Sequence, residues 1–235
     1  RGLNTHSLRD VSFSLYPGEV LGFAGLEGHG QREVARALFG LEHLRGGEIH
    51  VNGKPVHLDN PRKAIANGIV FISDDRKLEG LALALAVREN VALPNLKKFS
   101  RYGFVQRTLE KQAVGAKVDV IGVKTPSIEQ HVRLLSGGNQ QKTVLTKWLI
   151  DNPRILIFAE PTRGIDIGAK VEIYRLIDQL AEGGAGIIMV SSELLELIGM
   201  SSRMIVMRNG TPCSELPGET ATEESVMLAA TGVEM

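Results

Sequence analysis

Three short stretches carry residue types and spacings that could do phosphate chemistry. The first is Gly25-Leu26-Glu27-Gly28-His29-Gly30-Gln31-Arg32-Glu33. It follows the apolar run Val20 to Ala24 and precedes apolar residues at helical spacing, so it reads as a glycine-rich loop between strand and helix. Such a loop lets successive backbone N–H groups converge on phosphate oxygens. A lysine then serves the β/γ-phosphates, and a serine or threonine holds magnesium. Here Gln31 stands where the lysine is expected and Arg32 where the hydroxyl is expected. Losing one charge-assisted bond costs roughly 1.5–3 kcal/mol, about ten- to a hundredfold in affinity. Arg32 restores positive charge but has no atom to ligate magnesium. The same residues also suit an ordinary strand–turn–helix corner.

The second stretch is Leu135-Ser136-Gly137-Gly138-Asn139-Gln140-Gln141-Lys142, leading into a helix whose apolar side is Val144, Leu145, Trp148 and Leu149. A serine and two glycines at a helix N-terminus offer a hydroxyl, free N–H groups and the positive dipole end to an anion. The blander reading, Ser136 as a simple N-cap, leaves the rest of the octapeptide unexplained. The third stretch is Ile155-Leu156-Ile157-Phe158-Ala159-Glu160-Pro161-Thr162, a buried strand with a carboxylate at its C-terminal end. In nucleotide hydrolases an aspartate there supports magnesium and the following glutamate polarises the attacking water. Ala159 takes the aspartate's place and Glu160 is kept. Taken alone, Glu160 reads as a solvated strand-end acid.

These stretches need elements to position them. Val11, Phe13 and Leu15 alternate with polar residues before the turn Pro17-Gly18, which suggests a strand. Val34, Leu38 and Leu41 suggest a helix, and residues 48–58 alternate around Asn52-Gly53 as a hairpin. Ile69 to Ile72 is a further strand. From residue 155 the order is strand 155–159, helix 168–181, strand 186–190, helix 193–199 and strand 203–207, which predicts a largely parallel sheet with helices on both faces. Residues 81–150 read as a mainly helical lobe inserted into an α/β core of 1–80 and 151–235.

The whole chain has 235 residues, 43% hydrophobic and 23% charged, enough to bury one substantial core. Lysine plus arginine and aspartate plus glutamate both number 27, which argues against a nucleic-acid binder. The longest apolar run, Leu81 to Val87, is far short of the roughly 18–20 residues of a membrane span. The N-terminus has no signal-peptide core, and the absence of an initiator methionine points to a piece of a longer chain. The lone Cys213 fits a reducing compartment.

Taken together, these residues resemble an ATP-binding-cassette (ABC) domain: a P-loop NTPase of the RecA-like α/β class, with an antiparallel β subdomain and an inserted helical subdomain. The glycine loop, the signature Leu135-Ser136-Gly137-Gly138-Asn139-Gln140, the strand ending at Glu160 and the dimer-loop Asp166 come in the family's order across the chain. Ile72-Ser73-Asp74-Asp75-Arg76-Lys77, Asn139 to Lys142 and Glu160-Pro161-Thr162-Arg163-Gly164-Ile165-Asp166 are similar to the ribose-type monosaccharide importers of bacteria. Those ATPase subunits carry two cassettes, and a degenerate phosphate loop is typical of the second.

The resemblance implies roles for single residues. Asp74 takes the place of the glutamine that senses magnesium and meets the membrane subunit, with the Asp74-Asp75 pair as a salt-bridge partner for Arg76 or for the membrane domain and Asp75 as a solvated loop acid. Ser192 takes the place of a histidine that reaches the γ-phosphate. It also implies ATP and magnesium, used mainly through a site shared head-to-tail with the first cassette of the same polypeptide. Its other implied partners are membrane permease subunits and, indirectly, a periplasmic or extracellular sugar-binding protein, with the chain peripheral on the cytoplasmic face of the membrane. A nucleoside-type importer cassette, a self-sufficient homodimeric ATPase using Arg32 and Glu160, and a nucleotide-gated clamp on nucleic acid are the competing readings.

The remaining candidates are bland. His29 touches phosphate or solvent, His50, His57 and His131 read as surface residues, and Met189, Met200, Met204 and Met207 read as core filler. Lys97-Lys98 and Arg101 read as a solvated basic face.

Overall fold

The computed structural model describes residues 1–232. Its backbone alternates short apolar strands with amphipathic helices, as the sequence periodicity requires. The elements of the sheet are β1 (Val20–Gly25), β4 (Ile69–Ile72), β7 (Ile155–Ala159), β8 (Gly186–Val190), β9 (Arg203–Arg208) and β10 (Thr211–Pro217), in spatial order β10-β9-β1-β8-β7-β4. Strand β1 lies parallel to β8 and β9, with Gly22 opposite Met189 and Met204. Strand β7 lies parallel to β8, with Ile157 opposite Ile188. Strands β1 and β8 have no polar side chain and are buried along nearly their whole length, the signature of a sheet covered on both faces. A separate hairpin joins β2 (Ile49–Val51) to β3 (Lys54–Val56) through Asn52 and Gly53, both at positive φ, as a tight turn demands.

The chain divides into two compact units. The first takes residues Arg1–Phe71, Arg154–Glu160 and everything from Ile177 on. It holds α1 (Gln31–Leu38), α2 (Pro61–Ala66), α7 (Leu194–Met200) and α8 (Glu223–Thr231). Helix α1 packs on β1, β7 and β8, so the glycine-rich loop before it hangs from the C-terminal end of β1. Leu21, Phe23, Leu156, Ile157, Phe158, Ile187 and Met189 are fully buried. Arg203 at the start of β9 gathers Glu19 (2.5 Å), Glu215 (3.0 Å) and the Ser14 carbonyl (2.5 Å), fixing the chain as it enters β1.

The second unit takes Ile72–Pro153 and Pro161–Leu176. Helices α3 (Val87–Ala92), α4 (Arg107–Ile121) and α5 (Gly137–Leu149) dominate its first segment. Arg88 ties it together by donating to Glu110 (2.7 Å) and Glu129 (3.0 Å). A small hairpin, β5 (Ser100–Arg101) and β6 (Phe104–Val105), interrupts the helices. Helix α6 (Ile167–Glu182) follows the loop after β7.

Several sequence expectations need correction. Val11, Phe13 and Leu15 do not form a strand: one bridge, Leu3 to Val11, is all that pairs there. Helix α1 stops at Leu38, so Leu41 lies beyond it and is partly exposed. Met200 is only half-buried, unlike the fully buried Met189, Met204 and Met207. Strand β10 escapes sequence reading because Pro212 and Pro217 argue against a strand. It is an edge strand, with a register shift between Pro212 and Ser214, where a missing N–H costs little.

Phe158 is fully buried near the C-terminal end of β7. Phe158→Ala is expected to lower the unfolding free energy by about 3–5 kcal/mol, read from urea denaturation. A loss below about 1 kcal/mol would show that this strand is not the core of its unit.

Candidate functional site

The first unit builds a glycine loop whose shape suits phosphate and whose side chains are already engaged. Gly25, Gly28 and Gly30 all have positive φ, at +147°, +82° and +108°. At Gly25 a Cβ would lie 2.4 Å from Gln31 Nε2 and 2.5 Å from the Met207 carbonyl, so only glycine fits. Gln31 is buried and donates from Nε2 to the Leu26 carbonyl at 3.0 Å. Its amide therefore closes the loop on itself. His29 is 3.4 Å from the Met207 carbonyl through Nδ1. Glu27 and Glu33 sit in the loop and in the first turn of α1, where a carboxylate suits the positive helix end.

Glu160 is the centre of this unit's site. It is buried, which overturns its reading as a solvated strand-end acid. Its N–H makes a 2.8 Å bond to the Val190 carbonyl, and its φ of +50° then turns the chain. A non-glycine residue held there costs about 1–3 kcal/mol, so its surroundings must fix it. They do. Oε1 accepts from the Ser192 N–H at 2.8 Å and from Arg32 at 3.2 Å, and Oε2 accepts from Ser192 Oγ at 2.9 Å. Arg32, Glu160 and Ser192 come together from β1–α1, β7 and β8–α7. The Arg32 guanidinium is directed to this carboxylate. Ser192 reaches Glu160.

Magnesium does not fit this donor set. Ala159 has no side-chain oxygen to offer, Arg32 puts a cation in the hydroxyl's place, and among the described residues no cluster of three His, Cys, Asp or Glu side chains could hold a metal. The loop's backbone curvature, by contrast, remains compatible with a phosphate chain.

The second unit presents the signature. Ser136 is the N-cap of α5, in extended conformation, and its side chain makes no capping bond. Asn139 Nδ2 instead donates to Ser136 Oγ at 2.9 Å, which leaves the hydroxyl hydrogen for an acceptor outside the chain. Asn139 is itself held by accepting from the Lys124 N–H at 2.8 Å, and Gln140 is buried against the Val132 and Leu135 carbonyls. At Gly138 a Cβ would fall 2.6 Å from the Cβ of Ala169, so the close packing of α5 on α6 admits only glycine. Leu135 is half-buried at the lip of this turn.

Arg76 feels the Asp75 charge electrostatically, but its hydrogen bonds go elsewhere. It donates to the carbonyls of Arg163 (2.6 Å) and Gly164 (3.0 Å), and its NH2 lies 3.1 Å from where a Cβ on Gly137 would be. Asp74 pairs with Arg163 at 3.4 Å, and the Asp75 carboxylate accepts from the Lys77 and Leu78 N–H groups. Asp75 is thus a half-buried cap of the single π-turn Arg76–Gly80, not a solvated acid. Asp166 caps α6 by accepting from the Ala169 N–H at 2.9 Å. Sequence reasoning missed the Arg76 bridge because its partners lie nearly ninety residues away. It also missed Lys147, a buried α5 ammonium that donates to the Gly80 carbonyl and lies over the Trp148 ring.

Comparison with known proteins fits this geometry. A family model described as ABC transporter matches residues 8–163. The chain is 48% identical over 226 residues to the ribose import ATP-binding protein RbsA of Bacillus subtilis, covering 96% of the chain and 46% of that protein. It is also 48% identical over 223 residues to a putative ribose/galactose/methyl galactoside import ATP-binding protein of Rhizobium etli, covering 95% and 43%. The chain spans less than half the length of these curated relatives. Among solved structures, the ATP-binding subunit of an ABC transporter superposes with a TM-score of 0.78 at 20% identity, covering 98% of both chains. The dimeric cassette MJ0796 bound to ADP and Pi gives 0.76 at 20% identity, covering 92% and 95%. At that identity the likeness is one of fold.

Two measurements test the site. Glu160→Ala strips an acceptor from three donors and is expected to cost about 1–3 kcal/mol in urea unfolding. Arg32→Ala is expected to cost less than about 1 kcal/mol, because the arginine is half-exposed. Equal losses would place the cation, not the two Ser192 donors, in control of Glu160. For Lys147, burial pushes the ammonium down to about 8 from an ordinary value of 10.5. Between those two values the unfolded chain binds more protons than the folded one, so stability rises with pH through that window. Below it the burial penalty is fully present. Urea midpoints at about pH 7 and about pH 9.5 are expected to rise in the native chain, with the rise blunted in Lys147→Met.

Proposed function

The chain belongs to the ABC transporter family of ATP-binding domains, and from that premise we propose that it is the second cassette of a bacterial ribose-type sugar importer. In this reading its signature serves ATP held by the first cassette of the same polypeptide. The observation that carries the reading is the state of Glu160, spent on Arg32 and Ser192 in a site with no oxygen at Ala159. A carboxylate so engaged is a poor base for a water nucleophile. The relatives named for ribose and galactose import support the substrate class.

The chemistry of each half follows from its residues. In the first unit, Gly25 to Gly30 retain the curvature to cradle a phosphate chain. Gln31 gives no positive charge, and Arg32 directs its own to Glu160. This half holds nucleotide weakly and turns it over slowly or not at all. In the second unit, Ser136 Oγ–H and the N–H groups at the start of α5 offer hydrogen bonds and a positive dipole end to a γ-phosphate approaching from outside. Magnesium in such a composite site would supply charge neutralisation and would be held by the partner cassette. This chain's part is to orient the phosphate and stabilise the charge that develops on its oxygens. Asp74 and Asp166 lie on loops that would face the permease and the opposite cassette. The domain would sit at the cytoplasmic face of the membrane through its permease partners, and the sugar would be chosen by the binding protein and permease.

Hydrolysis measurements separate this reading from a self-sufficient enzyme. The purified chain is expected to show no magnesium-dependent ATP hydrolysis above background. Steady turnover that disappears in Glu160→Gln would overturn the half-site assignment. In the full-length protein with its permease, Ser136→Arg is expected to reduce sugar uptake at least a hundredfold by blocking the signature turn. Unchanged uptake would show that the signature is not used.

A further inference from the structure

The β5–β6 hairpin presents an apolar tip on a basic base. Tyr102 and Phe104 are 87% and 76% exposed, and Val105 and Leu109 beside them are also exposed. The turn puts Tyr102 and Gly103 at φ of +53° and +82°. An aromatic residue is unusual at that first position, which asparagine, aspartate or glycine normally fills. The hairpin is nevertheless firmly seated. Gln106 N–H donates to the Phe99 carbonyl at 2.6 Å, Ser100 Oγ donates to the Leu96 carbonyl at 2.6 Å, and Phe99 is buried.

From Lys97 to Leu109 the chain has four basic residues and no acidic one. Lys98 is paired with Asp151. Lys97, Arg101 and Arg107 have no carboxylate partner among the described residues, and the Arg101 guanidinium lies 5.3 Å from the Tyr102 ring centre. The neighbouring acids are already committed, Glu110 to Arg88 and Glu129 to Arg88 and Lys111. An exposed aromatic pair ringed by uncompensated cations fits an interface that is apolar below and negative above. The basic residues are solvent-exposed, as the sequence predicts, but the two exposed rings are unusual for plain solvent.

We infer that this hairpin is a docking surface for an anionic phospholipid bilayer. Tyr102 and Phe104 enter the headgroup–acyl boundary while Lys97, Arg101 and Arg107 face lipid phosphates. Each basic residue near such a surface strengthens binding about fivefold, and salt weakens the effect. The inference rests on the hairpin alone and needs neither nucleotide nor a second cassette.

Vesicle flotation with the purified chain tests it, without permease or nucleotide. Flotation is expected with vesicles of phosphatidylcholine mixed with phosphatidylglycerol, to weaken with salt, and to fail with phosphatidylcholine alone. Replacing Lys97, Arg101 and Arg107 together by glutamine is expected to cost about a hundredfold in partitioning. Tyr102→Asn with Phe104→Ser is expected to cost about tenfold. Asparagine suits the turn, so an unchanged thermal midpoint would exclude misfolding as the cause. No flotation with the anionic vesicles, or equal flotation of the variants, would overturn the inference. A photoreactive group in place of the Phe104 ring that crosslinks to protein rather than lipid in native membranes would also overturn it, in favour of a protein partner.

Discussion

The buried carboxylate of Glu160 is the interaction on which the rest of the molecule's reading depends. A carboxylate out of water must be matched by donors or cations. Here Ser192 supplies two hydrogen bonds, and Arg32 supplies charge from the first turn of α1. The three residues come from separate β-strand ends of one sheet, so the parallel register of β1, β7 and β8 brings them together. The constellation that could polarise water therefore satisfies itself.

The second unit is arranged the other way. Several of its polar groups are held by partners within the unit, and the N-terminal end of α5 at Ser136 stays exposed. Asn139 accepts from Lys124 and donates to Ser136, leaving the serine proton outward. Arg76 fixes the Arg163 and Gly164 carbonyls beside Gly137. Lys142 reaches the Gly122 carbonyl and Glu172, whose carboxyl is held below its usual range by that contact. These bonds hold α5 and the loops around its N-terminal end.

The two units thus differ in what their polar chemistry is aimed at. In one it points inward, and in the other it points outward. The exposed hairpin of the second unit extends the outward pattern, with aromatic rings and unpaired cations where a solvated loop would carry small polar residues.

Much of this was legible in the sequence. The apolar runs 20–24, 69–72, 155–159, 186–190 and 203–207 could be only strands, because each is short, bounded by turns and lacks helical spacing. The glycine loop and the octapeptide around Ser136 were equally plain, since φ and close approach restrict such positions to glycine whatever the fold. Residue identity also disclosed what was missing, because Gln31 lacks the charge that phosphates need and the side chains of Arg32 and Ala159 lack an oxygen for magnesium. Only the tertiary structure decided where the replacements went: Gln31 onto Leu26, Arg32 and Ser192 onto Glu160, and Arg76 onto Arg163 and Gly164. Those partners lie up to about 130 residues apart, and pairing at such range is set by sheet order and packing rather than by local spacing.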